Sequence, residues 1–178
     1  MNITKILTDF FNRIRYWLWP PDFVMIGDSI IANMVATQPS LPEPFKSALN
    51  LGVHGDTSSQ IRARIGTIPK GTKRVLIDGG GNNVAYPGVI AADYAAMLAA
   101  IPLTTRVIVL GIARVEDPSF NAQTVVINTQ INLVAATRPN TVVASAAQNV
   151  SMVGLTIDGV HPTPAGYVVL INTLMPIL

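Results

Sequence analysis

The sequence contains no cysteine among its 178 residues. This absence excludes disulfide bonds, catalysis by a thiol, and metal sites that use cysteine ligands. Histidine is also scarce, since only His54 and His161 occur and they stand far apart in the chain. A histidine-rich metal centre is therefore not expected, and we predict that the protein uses neither a metal ion nor another cofactor.

Charged residues are few as well, because they make up 12% of the chain and leave a net charge of +2. Binding to the phosphates of a nucleic acid requires a denser cluster of basic residues, so we expect no nucleic-acid partner. Apolar residues make up 49% of the sequence, which excludes a disordered chain. A chain of this length and composition is typical of one domain with a single substantial core.

The first nineteen residues lack the long apolar run of a signal peptide or of a membrane-spanning helix. Their apolar side chains instead recur at helical spacing, and the pattern stops at Pro20 and Pro21. The stripe consists of Ile3, Ile6, Leu7, Phe10, Phe11, Ile14, Trp17 and Leu18. We predict an amphipathic helix with a proline stop over residues 1–21, followed by a folded domain over residues 22–178.

The sequence leaves three partners open for this helix. The stripe over residues 1–19 can pack on its own domain, on a second copy of the chain, or on a membrane surface with Trp17 and Trp19 at the interface. Because no cleavable signal peptide is recognisable, the default expectation is a cytoplasmic protein, with peripheral membrane association as the alternative.

From residue 22 onward, short apolar runs alternate with segments of helical periodicity. Strands are predicted over residues 22–27, 47–53, 73–78, 105–113 and 140–146. Helices are predicted over residues 29–36, 58–65, 88–101, 121–137 and 163–178. This alternation predicts an α/β fold, namely a flavodoxin-like three-layer α/β/α sandwich around a five-stranded parallel sheet.

The helices carry three further predictions about single side chains. Thr163 is the expected N-cap of the last helix. Arg62 and Arg64 are expected to point outward from the second helix. The buried face of the fourth helix is predicted to consist of Val125, Ile127, Ile131 and Val134.

Ligands of such sheets bind beyond the carboxyl ends of the strands, so the polar residues that follow each strand are candidates for a site. The first strand is followed by "GDSI", in which Ser29 lies where the strand gives way to a helix. Its hydroxyl can be a nucleophile or simply an N-cap. The next two strands are followed by "NLGVHGDTSS" and "GGGNN". Their glycine N–H groups and asparagine amides can stabilise an oxyanion or form ordinary turns.

The stretch "DGVHPTPAGY" near the C-terminus places His161 three residues after Asp158. A histidine beside a carboxylate in a loop is suited to act as a general base, provided that another part of the chain supplies the nucleophile. Because the polar clusters follow parallel strands, we expect His161 to meet Ser29 at one edge of the sheet. In that arrangement His161 takes the serine proton, and Asp158 orients and stabilises the imidazole.

With all four blocks in this order, the sequence resembles the SGNH hydrolases, also called GDSL-type esterases and lipases. "GDSI" is similar to the first block of that family, "NLGVHGDTS" to the second, "GGNN" to the third and "DGVH" to the last. The resemblance implies that Ser29 is the nucleophile and that Asp158 and His161 complete a catalytic triad. It also implies that the N–H groups of Ser29 and Gly52, together with the Asn82 amide, form the oxyanion hole.

Four polar residues of these blocks depart from the pattern or have no assigned role. Asn83 stands where the family usually has aspartate, a change that is expected to alter local hydrogen bonding. Asp78 lies in a strand end that is normally apolar, where it can be solvated, pair with a polar group or contact substrate. His54 and Asp28 are possible pocket residues. His54 is also the only rival base, but no carboxylate is spaced to orient it as Asp158 orients His161. Asp28 is more suited to bonding the backbone of its own turn.

The resemblance implies a serine hydrolase that cleaves small-molecule carboxylic esters through an acyl-enzyme. Short connections and the lack of a lid insertion favour short acyl chains, whereas the apolar N-terminal helix favours a lysophospholipase- or thioesterase-like lipid hydrolase. A non-catalytic module that docks on a membrane or a partner is a further alternative. Acyl transfer to an alcohol would use the same residues as hydrolysis.

Overall fold

The structure is a computed structural model that describes residues 14–16 and 18–178. Residues 14–16 and Leu18 are helical, and the chain leaves the helix before Pro20. Most of the amphipathic stripe predicted over residues 1–19 lies outside the described residues. Ile14, Leu18 and Trp19 are described, and all three are exposed.

From Phe23 onward the chain forms five strands and six α-helices. The strands are β1 (Phe23–Gly27), β2 (Leu49–Gly52), β3 (Arg74–Ile77), β4 (Arg106–Val109) and β5 (Thr141–Val143). The helices are α1 (Ser29–Met34), α2 (Ser58–Arg64), α3 (Ile90–Ala100), α4 (Pro118–Ala135), α5 (Ser145–Asn149) and α6 (Pro164–Leu174). Short 3-10 helices span Gln38–Ser40, Ile65–Thr67, Gly81–Asn83, Pro87–Val89 and Met175–Ile177.

The five strands form one parallel sheet in the order β2-β1-β3-β4-β5. Successive residues of a strand point to opposite faces, so each strand contributes to two cores. Phe23 and Met25 face a layer formed by α1, α5 and α6, whereas Val24 and Ile26 face a layer formed by α2, α3 and α4. The predicted three-layer sandwich is therefore confirmed.

This strand order places a topological switch point between β1 and β3, where ligands of open α/β sheets bind. The chain leaves β1 toward one helical layer and later leaves β3 toward the other. The loops that follow these two strands consequently diverge and open a crevice at the carboxyl edge of the sheet. Ser29 follows β1 and Asn82 follows β3, so both lie at this crevice.

Two details of the helices differ from the sequence prediction. Val125 is 62% exposed, because the buried face of α4 consists of Thr124, Ile127, Ile131 and Ala135. Val125 is one residue away from that face, which corresponds to a rotation of about 100° on a helix. Helix α5 was not predicted, because the apolar run of the last strand continues without a break into the small residues "ASAA".

The N-cap of α6 agrees with its prediction. The hydroxyl of Thr163 accepts a hydrogen bond from the Gly166 N–H at 3.1 Å. Among the described helices, none combines the length and the apolar character that crossing a membrane requires.

Candidate active site

The turn between β1 and α1 holds Ser29 in the first turn of the helix, where its side chain is half-buried. The Oδ1 atom of Asp28 caps the helix by accepting the Ile30 N–H at 2.9 Å. Gly27 is required at the end of the strand, because a Cβ atom there would lie 2.8 Å from the Asp78 carbonyl oxygen. The local sequence thus fixes the backbone on both sides of the serine.

The loop that carries His161 is built around the Asp158 side chain. Asp158 Oδ1 accepts the backbone N–H groups of Val160 at 3.1 Å and His161 at 2.8 Å, which closes a tight turn. Gly159 has a φ of 85°, a conformation that favours glycine. Glu116 anchors the turn from outside, because its backbone N–H donates to the Gly159 carbonyl at 3.2 Å.

Ser29, His161 and Asp158 form a continuous hydrogen-bonded chain. Ser29 Oγ lies 2.8 Å from His161 Nε2, and His161 Nδ1 lies 2.6 Å from Asp158 Oδ2. Hydrogen bonds from the backbone N–H and the ring of His161, and from the Val160 N–H, hold the pKa of Asp158 well below its usual range. An ionised Asp158 accepts the Nδ1 proton, so the Nε2 lone pair faces the serine hydroxyl. The arrangement can activate Ser29 as a nucleophile.

Asn82 lies across the crevice from the triad, in the 3-10 helix that follows β3. Its Nδ2 atom donates to the Asp56 carbonyl at 3.0 Å and lies 3.4 Å from Asp28 Oδ2. An amide NH2 group has two protons, and Asp56 and Asp28 accept one each. The contact with Asp28 is long, so a ligand oxygen in the crevice can compete for this second proton.

The family resemblance implied that the Gly52 N–H is an oxyanion donor, and the hydrogen bonds of the loop contradict this assignment. Its N–H already donates to Asn50 Oδ1 at 2.9 Å. A Cβ atom at Gly52 would lie 2.2 Å from the Ala32 nitrogen, so this glycine is required for the packing of α1 on β2. Its N–H is therefore not free to bind an oxyanion.

Gly55, in the same loop, fits the donor role better. It has a φ of 75° and is exposed, and its N–H makes no hydrogen bond within the described residues. Gly55 directly precedes Asp56, whose carbonyl holds the Asn82 amide. The sequence signal was present, since "NLGVHGDTS" contains two glycines, but the packing around Gly52 could not be read from it.

The three possible pocket residues have different surroundings. Asp28 is buried and lines the cavity beside Ser29. His54 is exposed and does not line that cavity. Asn83 is buried, and its Oδ1 atom accepts the Ser58 N–H at 2.8 Å at the start of α2. An amide oxygen thus serves as the acceptor in place of the usual carboxylate.

Sequence reasoning missed the contribution of Arg64, which was expected to point outward. Its guanidinium donates to the Leu51 carbonyl at 2.9 Å and the Gly27 carbonyl at 3.1 Å, at the ends of β2 and β1. It also forms a salt bridge of 2.6 Å with Asp56. Arg62 agrees better with the prediction, because its side chain is 47% exposed and pairs with Asp93 at 2.9 Å.

Asp78 is buried beneath the crevice beside Asp28, and each residue is only 3% exposed. The interpretation of Asp78 as a solvated strand end is therefore wrong. Burial raises the pKa of Asp78 well above its usual value, and the charge of Asp28 raises it further. Burial also raises the pKa of Asp28.

A cavity of about 300 Å³ opens from the triad into the fold. Ser29, Asn82 and His161 line its polar side. The opposite walls are apolar and include Leu110, Ile112, Ala113, Val115, Phe120 and Met152. A cavity with convergent polar groups on one side and apolar walls on the other suits a small ligand that has an apolar part.

Comparison with protein families and solved structures agrees with this geometry. The model of the GDSL-like Lipase/Acylhydrolase family matches residues 25–169 of the chain. No curated protein matches the sequence.

Solved structures with the same fold include three bacterial proteins. A protein from Streptococcus pneumonia with the proposed identity of a platelet activating factor has a TM-score of 0.77 at 16% identity, over 98% of this chain and 91% of its own. A catalytic mutant of an acetylxylan esterase from Geobacillus stearothermophilus has a TM-score of 0.67 at 18% identity, over 88% and 93%. A GDSL-like lipase from Bacteroides thetaiotaomicron has a TM-score of 0.69 at 22% identity, over 94% and 96%. At these identities the likeness establishes the fold.

Proposed function

The chain belongs to the GDSL-like Lipase/Acylhydrolase family, and we propose that it is a serine hydrolase that cleaves carboxylic esters through an acyl-enzyme. The observation that carries this proposal is the 2.8 Å contact between Ser29 Oγ and His161 Nε2, with Asp158 on the far side of the imidazole. These three side chains have the mutual geometry that nucleophilic catalysis by serine requires.

In the first half of the reaction, Ser29 Oγ attacks the ester carbonyl carbon while its proton passes to His161 Nε2. The tetrahedral intermediate then collapses, and the bond to the alcohol oxygen breaks. His161 returns the proton to this oxygen, and the alcohol leaves. Asp158 stays ionised throughout and stabilises the imidazolium that forms in between.

In the second half, a water molecule takes the place of the alcohol. His161 removes a proton from the water as it attacks the acyl carbon, and then gives this proton to Ser29 Oγ as the acid leaves. An alcohol in place of the water would give acyl transfer with the same residues.

We assign the oxyanion donors as the N–H groups of Ser29 and Gly55 and the side-chain amide of Asn82. The N–H groups of Ser29 and Gly55 make no hydrogen bonds within the part of the chain that the structure describes. Preorganised donors of this kind typically contribute a factor of about 10² to 10³ each in turnover. Gly55 replaces Gly52 in this set because the N–H of Gly52 is bonded to Asn50.

The preferred substrates are esters of short acyl chains. The cavity volume of about 300 Å³ lies at the lower end of the range for ligand sites. Leu110, Met152 and Leu170 close its inner end, and each is at most 2% exposed. Each methylene that fits adds about 0.8 kcal/mol of burial, and chains that exceed the cavity lose this gain.

A series of p-nitrophenyl esters from acetyl to dodecanoyl tests this proposal. We expect kcat/KM to increase by roughly fourfold per methylene over the shortest chains and then to fall. The variant Ala113→Leu fills part of the cavity and should move the optimum to shorter chains. The control Ala96→Leu makes the same change on an exposed position of α3 and should leave the profile unchanged. An optimum at decanoyl or longer esters would identify a lipid hydrolase instead.

The role of residues 1–19 in binding a membrane or a second copy of the chain stays a prediction, because most of these residues lie outside the described part of the structure. A docking module without catalysis would have no use for a histidine held 2.8 Å from a serine hydroxyl at the end of an apolar cavity. This observation favours the hydrolase.

A further inference from the structure

Two buried carboxyl groups lie at the floor of the catalytic cavity, and the proposed reaction uses neither of them. Asp28 and Asp78 both line this cavity, and each is 3% exposed. The Oδ2 atom of Asp78 is fully buried and receives no hydrogen bond from an N–H or O–H group of the described residues. A buried carboxylate oxygen without a donor is strongly unfavourable, so its surroundings require an explanation.

Asp28 and Asp78 follow the neighbouring strands β1 and β3 and line the same cavity, which places their carboxyl groups beside each other. Two carboxylates can share a hydrogen bond only when one of them carries a proton, because ionised carboxyl groups are acceptors alone. Two adjacent buried negative charges would also repel each other strongly in a medium of low polarity. One proton on the pair removes both difficulties.

The hydrogen bonds around the pair indicate which carboxyl group carries that proton. Asp28 accepts the Ile30 N–H at 2.9 Å and the Asn82 amide at 3.4 Å. These groups favour an ionised Asp28. Asp78, in contrast, is buried beside the negative charge of Asp28, and both conditions favour the neutral form of its carboxyl group.

We propose that Asp78 stays a neutral acid that donates its proton to Asp28, and that this hydrogen bond fixes Asp28 where it supports the Asn82 amide. Asp78 is thus a positioning residue that acts through Asp28 on the oxyanion site, and this role rests on the proposed function of Asn82. The shared proton also leaves one negative charge near the developing oxyanion instead of two. Since a second charge would oppose the transition state, loss of this proton slows acylation.

The other titratable and charged groups around the pair are engaged with different partners. Arg64 binds Asp56 at 2.6 Å, so neither group neutralises the pair. The hydroxyls of Tyr94 and Tyr167 donate to the Gly79 and Ile30 carbonyls at 2.8 Å. Burial raises the pKa of both tyrosines, so they stay protonated. The ring of His161 bonds Ser29 and Asp158.

Infrared spectroscopy of the purified protein at neutral pH tests the proton directly and does not depend on ester hydrolysis. We expect the carbonyl band of one protonated carboxylic acid in the wild type and its disappearance in Asp78→Asn. The matched control is Asp93→Asn, which changes another buried aspartate that Ser58, Ser59 and Arg62 hold. The control should keep the band. A wild type without such a band, or a band that persists in Asp78→Asn, would overturn the proposal.

The pH dependence of stability provides a second test that is independent of activity. The raised pKa of Asp78 means that the folded protein keeps a proton that the unfolded chain releases above about pH 4. The free energy of unfolding of the wild type should therefore decrease as the pH rises from about 4 toward the pKa of the pair. Asp78→Asn lacks this proton, so the urea midpoint of this variant should rise relative to that of the wild type as the pH increases. The urea midpoint of Asp93→Asn should show no such relative rise. A pH-independent difference between Asp78→Asn and the wild type contradicts the shared proton.

Kinetics test the positioning role. Asp78→Asn keeps a donor for Asp28, so its kcat should stay within about threefold of the wild type and should persist to higher pH. Asp78→Ala removes the donor and should lower kcat about tenfold with little change in KM. In an Asn82→Ala background the same Asp78→Ala change should cost less than about threefold, because both act on one site. If Asp78→Ala lowers kcat by the same factor in both backgrounds, Asp78 does not act through Asn82. If Asp78→Ala does not fold, the dependence of kcat on pH in Asp78→Asn tests the positioning role instead.

Discussion

At the scale of single residues, neighbours of the same type perform different tasks in this site. Asn82 donates from its amide to the Asp56 carbonyl and, over a longer distance, to Asp28 at the crevice, whereas Asn83 accepts the Ser58 N–H. Gly52 packs against α1, whereas Gly55 leaves its N–H unpaired within the described residues. Residue type alone therefore does not identify the candidate oxyanion donors. The hydrogen bonds of each asparagine and glycine are needed to distinguish them.

Substitution of the two asparagines separates these tasks. Asn82→Ala should lower kcat about 10² to 10³-fold with little loss of stability, because the lost amide acts on the oxyanion. Asn83→Ala leaves the Ser58 N–H buried without an acceptor and should cost about 1–3 kcal/mol of unfolding free energy. Its kcat at a permissive temperature should stay within about tenfold of the wild type. Steady-state kinetics and urea unfolding of both variants check the prediction, and a larger loss of kcat in Asn83→Ala would reverse the assignment.

The sequence was sufficient to predict that Ser29, Asp158 and His161 meet and that Asn82 lies at the same crevice, because each stands in a short block with a recognisable order. It was not sufficient to choose between two glycines three residues apart, since the choice depends on the close approach of α1 to β2. The burial of Asp78 was also hidden, because a carboxyl group after an apolar strand is ordinarily solvated.

At the scale of elements, Arg64 joins the carboxyl ends of two strands to the start of α2. It binds the carbonyls of Gly27 and Leu51, which end or nearly end β1 and β2, and it holds Asp56. Asp56 in turn carries the carbonyl that fixes the Asn82 amide. One guanidinium thus connects the turn before Ser29 with the loop whose Asp56 carbonyl holds the Asn82 amide.

Arg64→Met should therefore disturb both stability and turnover. Two strand carbonyls and a buried carboxylate lose their donor, which should cost about 2–3 kcal/mol of unfolding free energy and about tenfold in kcat. The control Arg62→Met removes a guanidinium that is 47% exposed, and the buried Asp93 keeps the hydroxyls of Ser58 and Ser59 as donors. This control should therefore cost less stability than Arg64→Met and should leave kcat unchanged. Urea unfolding and ester kinetics of the two variants make the comparison. Unchanged kcat in Arg64→Met would show that the loop keeps its position without the guanidinium.

The elements themselves could largely be predicted, because apolar runs and helical periodicity are local signals. All five strands lie where the sequence places them, with shorter ends. The inward turn of Arg64 could not be predicted, because its partners Gly27 and Leu51 are 37 and 13 residues away in the chain. The exposure of Val125 follows from the packing of α4, where Ile127 and Ile131 define the buried side.

At the scale of the whole molecule, the sheet order brings together residues from opposite ends of the chain. Ser29 and His161 are 132 residues apart and form a hydrogen bond. The turn after β1 supplies the proposed nucleophile, and the loop before α6 supplies the proposed base. Tyr167 of α6 strengthens this junction, because its hydroxyl donates to the Ile30 carbonyl at 2.8 Å. The catalytic arrangement is thus a property of the complete fold.

Labelling with a fluorophosphonate, followed by peptide mapping with mass spectrometry, tests the central claim most directly. We expect a single adduct on Ser29 of the wild type, no adduct in Ser29→Ala, and labelling of His161→Ala that is slower by several orders of magnitude. Ester hydrolysis should disappear together with the adduct. A wild type that hydrolyses esters without modification of Ser29, or Ser29→Ala with undiminished hydrolysis, would contradict it.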